Sequence, residues 1–148
     1  MKRRFALAAL ISTAALFAGC ASGPKYAEMS KSIPPLKADQ GRIYFFRSGS
    51  MVGAAVQPEI RLNGTVVGAS KPGGFFYVDR PAGNYVAATA TETEKTLSFA
   101  LAAGETKYVR SSPSIGLLVG RIVLELEDPK KGQDEVETLS FTDGLPAK

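Results

Sequence analysis

Apolar residues along this chain fall into two patterns. Residues 5–19 form a near-continuous apolar run broken only by Ser12 and Thr13. From residue 42 onward the apolar positions come in short bursts divided by Gly, Pro and Asn, and most bursts alternate polar with apolar residues. Alternation with a period of two is what a strand with one buried and one wet face requires. Pro58-Glu59-Ile60-Arg61-Leu62 places Ile60 and Leu62 on one face and Glu59 and Arg61 on the other. Asn63-Gly64 follows, a pair suited to the positive backbone angles of a tight hairpin, and Thr65-Val66-Val67 is the return strand. Ile43-Tyr44-Phe45-Phe46 is apolar on both parities and predicts a strand covered on both faces.

Further strands are predicted at 75–79, entered through Pro72-Gly73-Gly74, and at 85–91, leaving the turn Pro81-Ala82-Gly83-Asn84. Residues 95–101 alternate with Leu97, Phe99 and Leu101 inward, Ala103-Gly104 turns into 106–110, and 121–127 places Ile122, Leu124 and Leu126 inward. About seven short strands joined by Gly- and Pro-containing turns predict an all-β domain, an antiparallel β-sandwich. Asp128-Pro129 can cap and begin one short C-terminal helix, which Gly132 weakens, and residues 139–141 are a strand alternative. The segment Ser114-Ile115-Gly116-Leu117-Leu118-Val119-Gly120 is apolar and flanked by small residues. Its commoner reading is a buried edge strand, and its alternative is an exposed loop that touches lipid or a partner. Met51-Val52-Gly53-Ala54-Ala55 poses the same question more mildly.

The first apolar run changes the picture. It follows Lys2, Arg3 and Arg4, and its 15 or so residues fall short of the roughly 20 that a membrane-spanning helix needs. A basic start, a short apolar stretch and small residues before a cut site predict a secretory signal peptide. Leu16-Phe17-Ala18-Gly19-Cys20 resembles the bacterial lipobox, in which cleavage leaves an acylated cysteine as the first residue. Phe17 stands where that pattern usually has Leu. Cys20 is the only cysteine, so an intramolecular disulfide is impossible and lipidation accounts for an odd thiol in an exported chain. The expected organisation is a signal peptide at 1–19, a lipidated cysteine with a flexible tether at 20–40, and a β-sandwich domain at 41–148. A flexible tether of that length would span roughly 25 Å.

Export also changes the charge. The formal net charge is +4, but three of the 18 basic residues leave with the signal, so the mature chain carries 15 basic against 14 acidic. Near-neutrality argues against a nucleic acid partner, which needs a concentrated basic surface. The chain has no histidine, which removes Ser-His-Asp and Cys-His mechanisms and the commonest metal ligand. Glu125 and Glu127 share a strand face, but a solvated face explains them as well as paired carboxylate chemistry does. Asp128, Asp134, Glu135 and Glu137 lack the oxygen spacing of a calcium loop. No catalytic residue, metal site or cofactor is expected. The sharper possibility is an aromatic face made from Tyr44, Phe46, Phe75, Tyr77, Tyr85 and Tyr108, with Arg47, Arg80 and Arg110 near strand ends. Rings of this kind stack on sugars, and arginines grip carboxylates. Tyr77, Tyr108, Arg80, Arg110, Ile115, Leu117 and Leu118 are the candidate contact residues, beside lipidation at Cys20.

Taken in order, Arg42-Ile43-Tyr44-Phe45-Phe46-Arg47, Ile60-Arg61-Leu62-Asn63-Gly64, Gly74-Phe75-Phe76-Tyr77-Val78-Asp79, Pro81-Ala82-Gly83, Tyr108-Val109-Arg110 and Gly120-Arg121 resemble the bacterial lipoprotein family catalogued as domain of unknown function 2846. The resemblance covers most of the chain beyond the tether and implies no known activity, catalytic residue or cofactor. The turn Pro81-Ala82-Gly83-Asn84-Tyr85 is similar to the Pro-x-Gly-x-Tyr element of surface-layer-associated repeats, which implies a transthyretin- or immunoglobulin-like sandwich. The functional expectation is a non-enzymatic cell-envelope lipoprotein that binds or scaffolds another envelope protein or peptidoglycan, held to a membrane by its lipid. Ala21 follows the cysteine, where an Asp would resemble an inner-membrane retention signal, so the outer membrane facing the periplasm is the expected location. The alternative is a small periplasmic protein that binds a glycan, peptide or lipid.

Overall fold

The computed structural model describes residues 19–118 and 120–143; Val119 and all of the predicted signal peptide except Gly19 lie outside them. Nine strands follow one another as β1 (Gln40–Phe46), β2 (Glu59–Leu62), β3 (Thr65–Ala69), β4 (Gly74–Pro81), β5 (Gly83–Ala90), β6 (Glu94–Leu101), β7 (Thr106–Ser114), β8 (Arg121–Glu127) and β9 (Ser140–Phe141). A short helix α1 (Tyr26–Met29), with a 3-10 turn after it, precedes β1, and helix α2 (Pro129–Val136) separates β8 from β9. The strands form a five-stranded sheet in the order β8-β7-β1-β4-β9 and a four-stranded sheet in the order β3-β2-β5-β6. One core made of Ile43, Phe45, Ile60, Val67, Phe76, Ala87, Val109 and their neighbours draws side chains from both sheets, which therefore pack face to face.

Two expectations need correction. Among the described residues nine strands are present where the sequence marks about seven; the ninth, β9, is two residues long and falls at the 139–141 strand alternative, too brief to show a period of its own. The five-stranded sheet is mixed rather than antiparallel, since β1 runs parallel to β7 and β4 parallel to β9. Local turns reveal only the pairings they close, whereas parallel neighbours arrive through long crossovers. The hairpin at Asn63-Gly64 is as read, with φ of 48° and 83° at its two residues. So is the double-sided strand: Ile43 and Phe45 face the shared core, while Tyr44 and Phe46 face the other way.

That other face is buried too. Tyr44, Phe46, Phe75 and Tyr108 form a second apolar cluster with Val136 and Leu139, and Tyr26 and Met29 close it from the N-terminal side. Helix α2 is capped as predicted, with the Asp128 side chain accepting from the Lys131 backbone N–H at 3.1 Å and Pro129 in the first turn. Gly132 plays a different part from the one its helix propensity suggests. A Cβ there would lie 2.5 Å from Tyr108 Cβ, so only glycine lets α2 approach the sheet this closely.

Composition predicts a flexible tether over residues 20–40, and in the structure this stretch makes contacts on the outer face of the five-stranded sheet beside α2. The Ala21 N–H donates to Pro72 O at 3.1 Å, the Tyr26 N–H to Leu139 O at 3.2 Å, and Lys25 bridges Ser140. Tyr26 packs on Phe75 with ring centroids 5.6 Å apart. At the far end Arg42 binds Asp79 through two bonds of 2.7 and 2.8 Å and also donates to Pro34 O at 2.7 Å. The segment is a strap: composition marked it as loop, but its few apolar residues find a sheet face that would otherwise be wet.

Candidate functional site

Strand directions sort the connections into two poles. β1 and β7 end, and β4, β8 and β9 begin, at the same edge of the five-stranded sheet. In the other sheet β2 and β6 begin there, and β3 and β5 end there. One pole therefore gathers residues 47–58, 70–73, 91–93 and 115–120, together with the start of the strap at Gly19, Cys20 and Ala21. The opposite pole carries the turns at 63–64, 82 and 102–105, the approach to β1 and the start of α2.

Side chains fix the loops of the first pole from beneath. Arg47 is 2% exposed, and its guanidinium donates to Val56 O and Gly53 O at 2.7 Å each and to Ser70 O at 3.3 Å. Burial lowers its pKa. The cation acts as a fork-shaped donor that ties three loop carbonyls together, and so rigidifies the loop carrying Met51 and Val52. A Cβ on Gly53 would sit 2.9 Å from Pro113 Cβ, which shows how tightly this loop lies against the end of β7. Glu92, from the β5–β6 turn, accepts from the backbone N–H groups of Leu117 and Leu118 and from Arg121 Nε at 3.3 Å. Gln57 holds the strap, donating to Gly19 O at 2.7 Å and to Ala54 O at 2.9 Å.

With the backbone drawn inward, apolar side chains are left outside. The five most exposed large apolar residues described are Ile115 (94%), Leu118 (94%), Leu117 (88%), Met51 (81%) and Val52 (71%), all on two adjacent loops. Between the loops lies a shallow cleft of about 350 Å³ lined by Val52, Gly53, Pro113, Ile115 and Leu118. The expected buried edge strand over 114–120 is therefore corrected for its described residues: Ile115, Leu117 and Leu118 are exposed on a loop, and Val119 lies outside the described residues. β7 ends at Ser114, and Glu92 captures the amides that a continuing strand would pair. Cys20 is exposed on the same pole, beside Gln57 and Pro72.

The other predicted contact residues are not brought together with these. Tyr108 is 8% exposed beneath α2, stacked on Tyr44 with centroids 5.3 Å apart, and burial raises the hydroxyl pKa of both. Tyr77 is half-buried, with the Arg42 guanidinium 4.7 Å above its ring. Arg110 lies over Phe46 and is neutralised by Glu127, at 2.6 Å, and by Glu135. Arg80 donates to Asp79 O at 2.9 Å near the opposite pole. Glu127 is occupied by Arg110, and Glu125 stays exposed on the face of β8. Among the described residues no group of three or more acidic or cysteine side chains is placed to hold a metal ion. Sequence reasoning marked Arg47 only as one of several strand-end arginines and passed over Glu92 entirely. A buried arginine at the end of an apolar strand carries a weak signal, and a single Glu in a polar turn carries none.

Comparison with known proteins adds kinship and no activity. An uncharacterized protein of Haemophilus influenzae is 27% identical over 147 residues, covering 95% of this chain and 86% of that protein. No solved structure matches the chain. Residues 37–120, from just before β1 through the apolar loop after β7, match the family described as protein of unknown function (DUF2846), and the chain belongs to that family.

Proposed function

We propose that this protein is a cell-envelope lipoprotein, acylated at Cys20 and held at the outer membrane facing the periplasm, whose sandwich is a non-enzymatic binding or scaffolding module. The observation that supports it is the position of Cys20, which is exposed at the head of a docked strap and directly preceded by the signal-like run. Two facing sheets that present loops at one end are also how immunoglobulin- and transthyretin-like domains offer contact surfaces. The charged side chains that looked available for chemistry are engaged with each other: Arg42 with Asp79, and Arg110 with Glu127 and Glu135. Ligand binding by the aromatic face is less favoured, since Tyr44 and Tyr108 lie beneath the strap and α2.

The test is intact mass spectrometry of the full-length protein expressed in Gram-negative cells, beside the Cys20→Ala variant. A mature chain beginning at Cys20 with a diacylglyceryl mass addition is expected, and loss of that addition and of membrane association in the variant. A mature chain that starts elsewhere, or an unmodified Cys20, would overturn the proposal.

A further inference from the structure

We infer that the pole bearing Cys20 is itself a lipid-contacting surface, with Met51, Val52, Ile115, Leu117 and Leu118 inserted into the interfacial layer of the same bilayer that holds the acyl chains. The inference rests on acylation at Cys20 and adds to it a fixed orientation of the domain.

Three independent features point to lipid. The first is where the chain leaves the described structure. The strap is consumed along the outer face of the five-stranded sheet, so the roughly 25 Å of slack a flexible tether would provide is gone. Gly19 is bound by Gln57 and Ala21 by Pro72, which places Cys20 on the pole itself. Acyl chains on that cysteine would draw this end, and no other, against headgroups. The second is charge. Residues 48–58 and 111–120 contain no Asp, Glu, Lys or Arg in a chain that is 22% charged, and neither do residues 19–24. Glu92 is turned inward to Arg121. Exposed Glu59 and Glu94 stand at the rim of the pole where β2 and β6 begin, Glu59 paired with Arg61, and exposed Lys71, next to the Pro72 contact, supplies a cation at headgroup level. The opposite pole carries Lys37, Asp39, Glu105, Asp128, Lys130 and Lys131. The third is construction. Arg47 binds the Gly53 and Val56 carbonyls and Glu92 the Leu117 and Leu118 amides, so these polar backbone groups of the two loops are satisfied internally, as a segment entering a water-poor layer requires. Its side chains then enter the boundary to a depth of about 5–10 Å, as other interfacial segments do.

The chain contains no tryptophan, so single substitutions make clean reporters. Leu118→Trp, Val52→Trp and, at the opposite pole, Ala103→Trp are each introduced into the full-length protein. The acylated products are reconstituted into phosphatidylethanolamine–phosphatidylglycerol vesicles containing acyl-brominated lipid. Emission from Trp at 118 and 52 is expected to shift to the blue and to lose most of its intensity to the bromines, while Trp at 103 remains water-like and unquenched. Mass spectrometry of the same samples reports acylation separately. An acylated protein in which all three positions behave alike overturns the orientation and leaves the lipid anchor intact, whereas a protein without the acyl group overturns both. Trp at 118 that is shielded only after a second envelope protein is added identifies a protein-binding face and overturns the lipid assignment.

Discussion

At the level of single residues, the side chains that shape this protein are those whose surroundings reverse their usual behaviour. Gly132 lies inside α2, where replacement of glycine by alanine ordinarily stabilises a helix by about 1 kcal/mol. Here the added methyl meets Tyr108 Cβ and Cγ at 2.5 Å, so α2 must lift from the sheet. Gly132→Ala is therefore expected to destabilise the protein by about 1–3 kcal/mol, read as a lower urea midpoint with an unchanged slope. A higher midpoint would mean that α2 is loosely held. Arg47 reverses expectation in the same way. A strand-end arginine suggests a solvent-facing grip on a ligand, but its guanidinium is spent on the carbonyls of Val56, Gly53 and Ser70.

At the level of elements, the apolar loop after β7 depends on a turn in the other sheet. Glu92 holds the Leu117 and Leu118 amides and Arg121 together, so it determines that the backbone turns in and the side chains turn out. A neutral amide keeps the shape but has one accepting oxygen where the carboxylate has two, so one of the Leu117 and Leu118 amides loses its partner and the remaining bond loses roughly half its strength with the charge. Glu92→Gln is expected to raise amide hydrogen exchange at residues 115–118 severalfold while leaving the strand amides of β7 and β8 unchanged. Uniformly faster exchange would instead make Glu92 a support of the whole sheet. The strap is the second such element. Tyr26 and Met29 complete a cluster whose other members come from β1, β4, β7, α2 and the segment leading to β9.

At the level of the whole molecule, titration behaviour follows from what the chain lacks and where its charges sit. Without histidine, no side chain of the folded domain has an ordinary pKa between about 5 and 8. The Glu127 carboxyl is held below its ordinary value of 4.5, chiefly by the hydrogen bond from Arg110. A depressed carboxylate contributes stability that is present above its unfolded pKa and is lost as pH falls through the folded value. Tyr44 works at the other limit: burial raises its pKa above 10, so its contribution is lost as pH rises beyond that value. The denaturation midpoint is expected to stay flat between about pH 5 and 9 and to fall on both sides. A slope inside that window would reveal a titrating group that these contacts do not include.

The strands, the two-sided burial of β1, the Asn63-Gly64 hairpin and the Asp128 cap were legible in the sequence. Each follows from backbone preferences and side-chain periods that operate within a few residues. The apolar character of residues 114–120 was equally plain, but whether they were buried was not, because that depends on Glu92, more than twenty positions away. The parallel pairing of β1 with β7, the docking of the strap, the burial of Tyr108 under Gly132 and the gathering of Cys20 with both apolar loops were decided by the tertiary structure alone. All are contacts between segments remote in sequence, and no local period records which distant surface a segment will find.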